Sequence, residues 1–199
     1  MIRLLLGTKN EGKIAEAMEL LAEPGLELLT FSDRPFSDVE ETGDTFLANA
    51  LLKARFVCEE TGLAVLAEDA GLEVAHLAGA PGVRSARFSG EPVNTARNND
   101  LLLETLRGVE DRRARFVAVA ALQLPDGQSF VTTGILRGAI TKRWIGEGGF
   151  GYDPLFLPDG HAKTLAEMSL REKNRISHRK RALMRMRPIL VDLLATGEL

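Results

Sequence analysis

The 199-residue chain has one cysteine, Cys58, so no disulfide can close within it. Cys58 falls in a helical stretch, KARFVCEETG, and reads as a small buried apolar residue. Aromatic residues are scarce, at 6% with one Trp and one Tyr, and no RNA-binding signature is present. No run approaches the ~20 apolar residues of a membrane span. The opening MIRLLLGTKN turns polar after a short apolar run, so it reads as a first strand and not a signal peptide. Repeats, low-complexity segments and linkers rich in Pro, Gly or Ser are all missing. These absences predict one domain over 1–199 of a cytoplasmic protein that contacts neither membrane nor nucleic acid.

What is present suits a globular protein with a real core. Hydrophobic residues make up 45% of the chain and charged residues 27%, with a net charge of −3. That charge is uneven. Of 25 basic and 28 acidic residues, eight basic and one acidic lie in REKNRISHRKRALMRMR (171–187), leaving 17 basic against 27 acidic elsewhere. A basic segment on an acidic body fits either a solvated helix face or an anionic partner.

Hydrophobic periodicity predicts strands over 2–7, 26–31, 63–69, 114–124 and 129–141. It predicts helices over 11–22, 44–61, 93–107 and about 177–194. Ile14, Met18 and Leu21 mark the buried face of the first helix. Asp44 is the cap candidate and Gly62 the stop of the second. PDGQ reads as a hairpin turn, and Pro188 predicts a kink or restart in the last helix. Early alternation followed by a hairpin implies an α/β fold with a mixed sheet.

Five segments can carry chemistry. GTKNEGK (7–13) fits the phosphate-loop spacing G-x-x-x-x-G-K, but Ile14 stands where a metal-binding hydroxyl belongs. It is either a plain strand–helix turn or a phosphate grip whose metal is held elsewhere. Thr8 and Asn10 can cap the helix, and Lys13 can reach a phosphate. Glu40 and Glu41 precede a helix, and Glu68 and Asp69 end an apolar strand. Both pairs offer the hard oxygens that Mg²⁺ prefers. GEGGFGYDP (146–154) combines four glycines with an exposed stacking candidate, Phe150. In EKNRISHRKR, Lys173, His178 and Arg179 can donate to a base carbonyl or a phosphate.

Taken in order, GTKNEGK, EETGDTFLANALLKA, EDAGLEV, GAPGVRSARFSG, GGFGYDPLF and EMSLREKNRISHR closely resemble the inosine triphosphate pyrophosphatase family over nearly the whole chain. The resemblance implies an elongated mixed β-sheet flanked by helices, with two lobes and a central substrate cleft, usually in a homodimer. It implies Mg²⁺-dependent cleavage of ITP, dITP and XTP into nucleoside monophosphate and pyrophosphate. By matching motif, Thr8, Lys9, Asn10, Glu11, Gly12, Lys13, Lys53 and Ala70 resemble the phosphate-side substrate contacts. Glu40 and Asp69 resemble the metal carboxylates, with Asp69 also the catalytic base. Phe150, Gly151, Tyr152, Asp153, Lys173, His178 and Arg179 resemble the base-recognition set, with Ser85–Arg87 nearby. Ala70 replaces a frequent serine and Glu68 a frequent aspartate. Other readings are a pyrophosphatase for other modified nucleotides, a P-loop-like NTPase releasing orthophosphate, or a nucleotide or RNA binder without catalysis.

Overall fold

The computed structural model describes residues 2–197. Six strands form one sheet: β1 (Ile2–Leu6), β2 (Leu26–Leu29), β3 (Ala64–Val74), β4 (Arg113–Gln123), β5 (Ser129–Ile140) and β6 (Phe156–Pro158). Their order is β2-β1-β3-β4-β5-β6. β1 pairs in parallel with β2 and β3, and β5 pairs antiparallel with β6, so the sheet is mixed. The helices are α1 (Glu11–Leu20), α2 (Phe46–Thr61), α3 (Thr95–Thr105), α4 (Leu170–Ile176) and α5 (His178–Thr196). None of these is long and apolar enough to cross a membrane.

Local chemistry explains the elements. Leu4, Leu5 and Leu6 are all buried, as a parallel strand covered on both faces requires. Asn10 caps α1, its Oδ1 accepting from Lys13 N at 3.0 Å. Thr45, not Asp44, caps α2, its Oγ1 accepting from Ala48 N at 3.1 Å. Gly62 ends that helix in the left-handed conformation, as predicted. The PDGQ turn closes the β4–β5 hairpin, with Leu124 N bonded to Gln128 O at 2.9 Å.

Three expectations change. β3 continues to Val74, so Asp69 lies inside the strand and not at its end; Leu72 and Val74 resume the buried pattern after the acids. On α1 the buried positions are Ala17 and, at the cap, Leu21, while Met18 stays exposed. α5 runs through Pro188 without a restart. Proline removes a single helical donor there, and buried Met186, Leu190 and Leu193 hold both sides of it.

The chain forms two compact units, each with a core. The first takes residues up to Asp69, Ala118–Gly134 and from Arg179 onward; the second takes Ala70–Val117 and Ile135–His178. Leu5, Phe36, Val57, Cys58 and Val65 centre a core in the first. Leu72, Leu102, Phe116, Leu136, Tyr152 and Phe156 belong to the core of the second.

Candidate active site

In the first unit, acids and lysines gather around the middle of β3. Side chains alternate along a strand, so Glu68 and Asp69 point to opposite faces. Asp69 turns toward α2. Its Oδ2 accepts from Asn49 Nδ2 at 3.1 Å, and its Oδ1 lies 3.7 Å from Lys53 Nζ. Asn49 and Lys53 sit one helical turn apart, which brings both to the same carboxylate. Lys53 also bonds Glu41 Oε1 at 2.6 Å and the Glu68 carbonyl at 2.9 Å. Lys13, in the first turn of α1, reaches that same carbonyl at 3.3 Å. Two ammonium groups therefore converge on one point of the strand.

The loop before α2 is tied to the same cluster. Asn49 Oδ1 accepts from Gly43 N at 2.8 Å. A Cβ on Gly43 would meet that Oδ1 and the Ala48 methyl at 2.7 Å, so the close approach requires glycine. Burial pushes the Asp69 carboxyl above its usual range. Lys53 opposes that shift, Glu41 adds to it, and the bond from Asn49 and the charge of Lys13 oppose it. A raised pKa makes the carboxylate a stronger base than a free aspartate.

Glu68 serves a different partner. Arg179 Nε donates to both its oxygens at 2.9 Å, and Arg179 Nη1 reaches Glu16 at 3.2 Å. Burial opposes the guanidinium charge, but Glu68 and Glu16 outweigh it and hold the group ionised.

The carboxylates fit a hard divalent cation. Lys53 Nζ touches Glu41 and lies near Asp69, so both carboxylates already aim at one cationic point. Mg²⁺ commonly needs only one or two protein carboxylates, with water and phosphate completing its shell. Glu41 is the acid in this cluster, whereas Glu40 is exposed and its side chain makes no ion pair among the described residues. Neighbouring residues project to different sides, so one acid of the pair faces Lys53 and the other faces water.

The remaining loop residues divide. Thr8 Oγ1 accepts from Asn10 N at 3.2 Å, which shapes the turn into α1. Lys9 instead pairs with Asp38 at 2.7 Å, its ammonium 4.5 Å from the Phe31 ring centroid. Glu11 and Gly12 are exposed in the first turn of α1.

In the second unit, the glycine-rich segment and α4 form a second group. Phe150 is 64% exposed, with Lys173 Nζ 4.0 Å from its ring centroid. Lys173 also pairs with buried Asp153. Asp153 Oδ2 accepts from Phe150 N at 2.8 Å. Gly149 has φ +75°, and a Cβ there would strike the Asp153 carboxylate, so glycine is required. Tyr152 is buried, unlike Phe150; its hydroxyl donates to Ser85 O at 2.9 Å, and burial pushes its pKa up. His178 stacks on Phe116 at 5.0 Å with 13° between the planes. Ala70 is half-buried in β3, beside Asp69 in sequence. The group thus contains Phe150, Gly151, Tyr152, Asp153 and Lys173. Arg179 belongs to the first unit, where its guanidinium holds Glu16 and Glu68.

Sequence reasoning missed Asn49 and the Glu16–Arg179–Glu68 triad. The spacing of Asn49 and Lys53 on one helix was the available signal for the first. The triad joins residues remote in sequence and left no local signal.

The Ham1 family model matches residues 4–189. A Streptomyces coelicolor protein named dITP/XTP pyrophosphatase is 46% identical over 199 residues, covering 98% of this chain and 100% of the relative. A Thermus thermophilus protein of the same name is 50% identical over 184 residues, covering 92% of this chain and 88% of the relative. The solved structure of a HAM1 protein from Coxiella burnetii superposes with a TM-score of 0.91 at 38% identity, covering 96% of this chain and 100% of that one. With sequence and fold agreeing over nearly its full length, this chain belongs to the Ham1 family.

Proposed function

We propose that the protein hydrolyses deaminated purine nucleoside triphosphates (ITP, dITP and XTP) to nucleoside monophosphate and pyrophosphate. The observation that carries the reading is the convergence of Lys13 and Lys53 on the Glu68 carbonyl, beside the carboxylates of Asp69 and Glu41. Relatives named dITP/XTP pyrophosphatase support the substrate class.

In this mechanism water adds across the α–β anhydride. Asp69 Oδ1 or Oδ2 takes the proton from that water, favoured by the burial that raises its pKa. Asn49 fixes the carboxylate's orientation. Lys13 and Lys53 offset charge growing on the departing pyrophosphate. Thr8 and Asn10 shape the turn that offers backbone N–H groups to phosphate. Asp69 and Glu41 would hold Mg²⁺, which would supply charge neutralisation of the triphosphate.

Phe150, Tyr152, Asp153, Lys173 and His178 form the base-reading set, with Phe150 as the stacking face. Donors aimed at a purine 6-carbonyl accept hypoxanthine and xanthine. Adenine presents an amino group there and leaves buried donors unpaired, a mismatch worth ~10⁴ or more at sites built on hydrogen bonds. The reading extends to a cytoplasmic homodimer, which light scattering on the purified chain tests.

The deciding experiment incubates the protein with ITP and Mg²⁺ and identifies both products. IMP with pyrophosphate supports the reading, and orthophosphate from the β–γ bond overturns it. Asp69→Asn should abolish turnover. Glu41→Gln should raise the Mg²⁺ requirement far more than Glu40→Gln; the reverse order would assign the metal to Glu40.

A further inference from the structure

α3 carries two asparagines in succession, and both are buried: Asn98 at 4% exposure and Asn99 at 0%. Asparagine is an indifferent residue inside a helix, and a buried amide must find partners. Each of these finds at least one outside its own helix. Asn98 Nδ2 donates to Ala86 O at 2.8 Å, and its Oδ1 accepts from Ser89 N at 2.7 Å. Asn99 Nδ2 donates to Gly151 O at 2.9 Å as well as to Thr95 O at 2.8 Å. The next residue, Asp100, accepts from Trp144 Nε1 at 3.0 Å. Tyr152, beside Gly151, donates to Ser85 O. Three consecutive residues of one helix therefore fasten the 85–89 turn and both ends of the segment from Trp144 to Gly151. All of these residues lie in the second unit.

The other half of the Asn99 amide shows what the residue is for. Asn99 Oδ1 is buried and has no hydrogen-bond partner among the described residues. A buried acceptor left alone is costly, and leucine would fill nearly the same space without that cost. Packing alone therefore favours leucine. The donor aimed at Gly151 O is what asparagine adds. Gly151 follows Phe150, whose ring stands exposed, so the bond fixes the backbone immediately after the stacking face.

We propose that Asn99, assisted by Asn98, is a positioning residue that holds the glycine-rich loop and the 85–89 turn in the conformation that reads the base. The inference rests on the substrate reading given above. A loop fixed in advance loses less freedom when a nucleotide binds, so the benefit falls on affinity and base discrimination more than on the hydrolytic step.

The test compares the full-length wild type with Asn99→Leu and Asn99→Asp. Asn99→Asp is isosteric and sets a carboxyl against the Gly151 carbonyl. Steady-state kinetics with ITP and ATP are combined with hydrogen exchange at the amides of 149–152. Both variants should raise KM for ITP about fivefold to tenfold, the size of one hydrogen bond, with kcat falling less. The ratio of kcat/KM for ITP to that for ATP should narrow, and the loop amides should exchange faster. Should the leucine variant fail to fold, Asn99→Ser, polar but too short for Gly151, serves the same comparison. Wild-type KM, base ratio and loop exchange in the folded variants would overturn the inference. So would an equal loss on ITP and ATP with unchanged loop exchange, which marks a packing role alone. A wild type with no preference for ITP over ATP would instead overturn the substrate reading, and loop exchange would still decide whether Asn99 positions the loop.

Discussion

Removing Arg179 is a sharp test of how the acids on β3 are kept in place. Its side chain is 8% exposed, that of Glu68 is 9% and that of Glu16 is 19%. Arg179→Leu would leave two carboxylates with little water and no guanidinium. Breaking a buried pair from one side costs about 3–5 kcal/mol. Two features pull this case to the lower end: Lys13 stays 3.5 Å from Glu68, and Glu16 can turn toward solvent. A loss of about 3 kcal/mol follows, or about 6–12 °C in Tm for a chain of this size. The partner substitution, Glu68→Gln, should cost less, because Arg179 retains Glu16 at 3.2 Å. Replacing the triad together (Glu16→Gln, Glu68→Gln, Arg179→Met) should recover most of the loss, since no buried charge is then left alone. Thermal and urea unfolding would measure all three variants. A single Arg179→Leu cost below about 1 kcal/mol, or no recovery in the triple variant, would refute the reasoning.

Other outcomes follow from the same geometry. Phe150→Ala should raise KM for ITP severalfold and leave Tm within about 1 °C, because the ring is mostly exposed; loss of stability without a change in KM would contradict its role as a stacking face. Asn49→Ala removes the amide that joins Gly43 to Asp69, so kcat/KM should fall about tenfold while pyrophosphate remains the product. Cys58 is 5% exposed and its thiol pKa is raised, mainly by burial. A thiol reagent should label it slowly in the native protein and quickly in urea, and fast native labelling would mean that the α2 packing opens readily.

The sequence made regular elements legible where one local rule decided them. The PDGQ hairpin and the Gly62 stop are cases in which turn chemistry and helix termination need no distant partner. Capping was less clear, because Asp44 and Thr45 are both capable and only backbone geometry selects Thr45. Glu68-Asp69 resembled a strand end because two acids interrupt an apolar run. The strand continues because each acid has a partner waiting: Arg179 for one, and Asn49 with Lys53 nearby for the other. Phe150 was legible as exposed through its glycine neighbours, whereas Tyr152 in the same motif is core. The basic 171–187 segment kept two readings open at the sequence level. The structure gives several of its cations internal carboxylates, with Lys173 on Asp153, Arg179 on Glu68 and Glu16, and Arg187 on Glu23.

The first unit is assembled from three separated stretches, the last beginning at Arg179. During synthesis, the N-terminal stretch leaves the ribosome long before that arginine and the apolar residues of α5 exist. Until they arrive, Glu68 lacks its guanidinium and the surface that will receive Leu183, Met186 and Leu190 stays open. The unit begun first is therefore finished last, and the nascent chain passes through a long interval in which Glu68 is present without the guanidinium that will hold it.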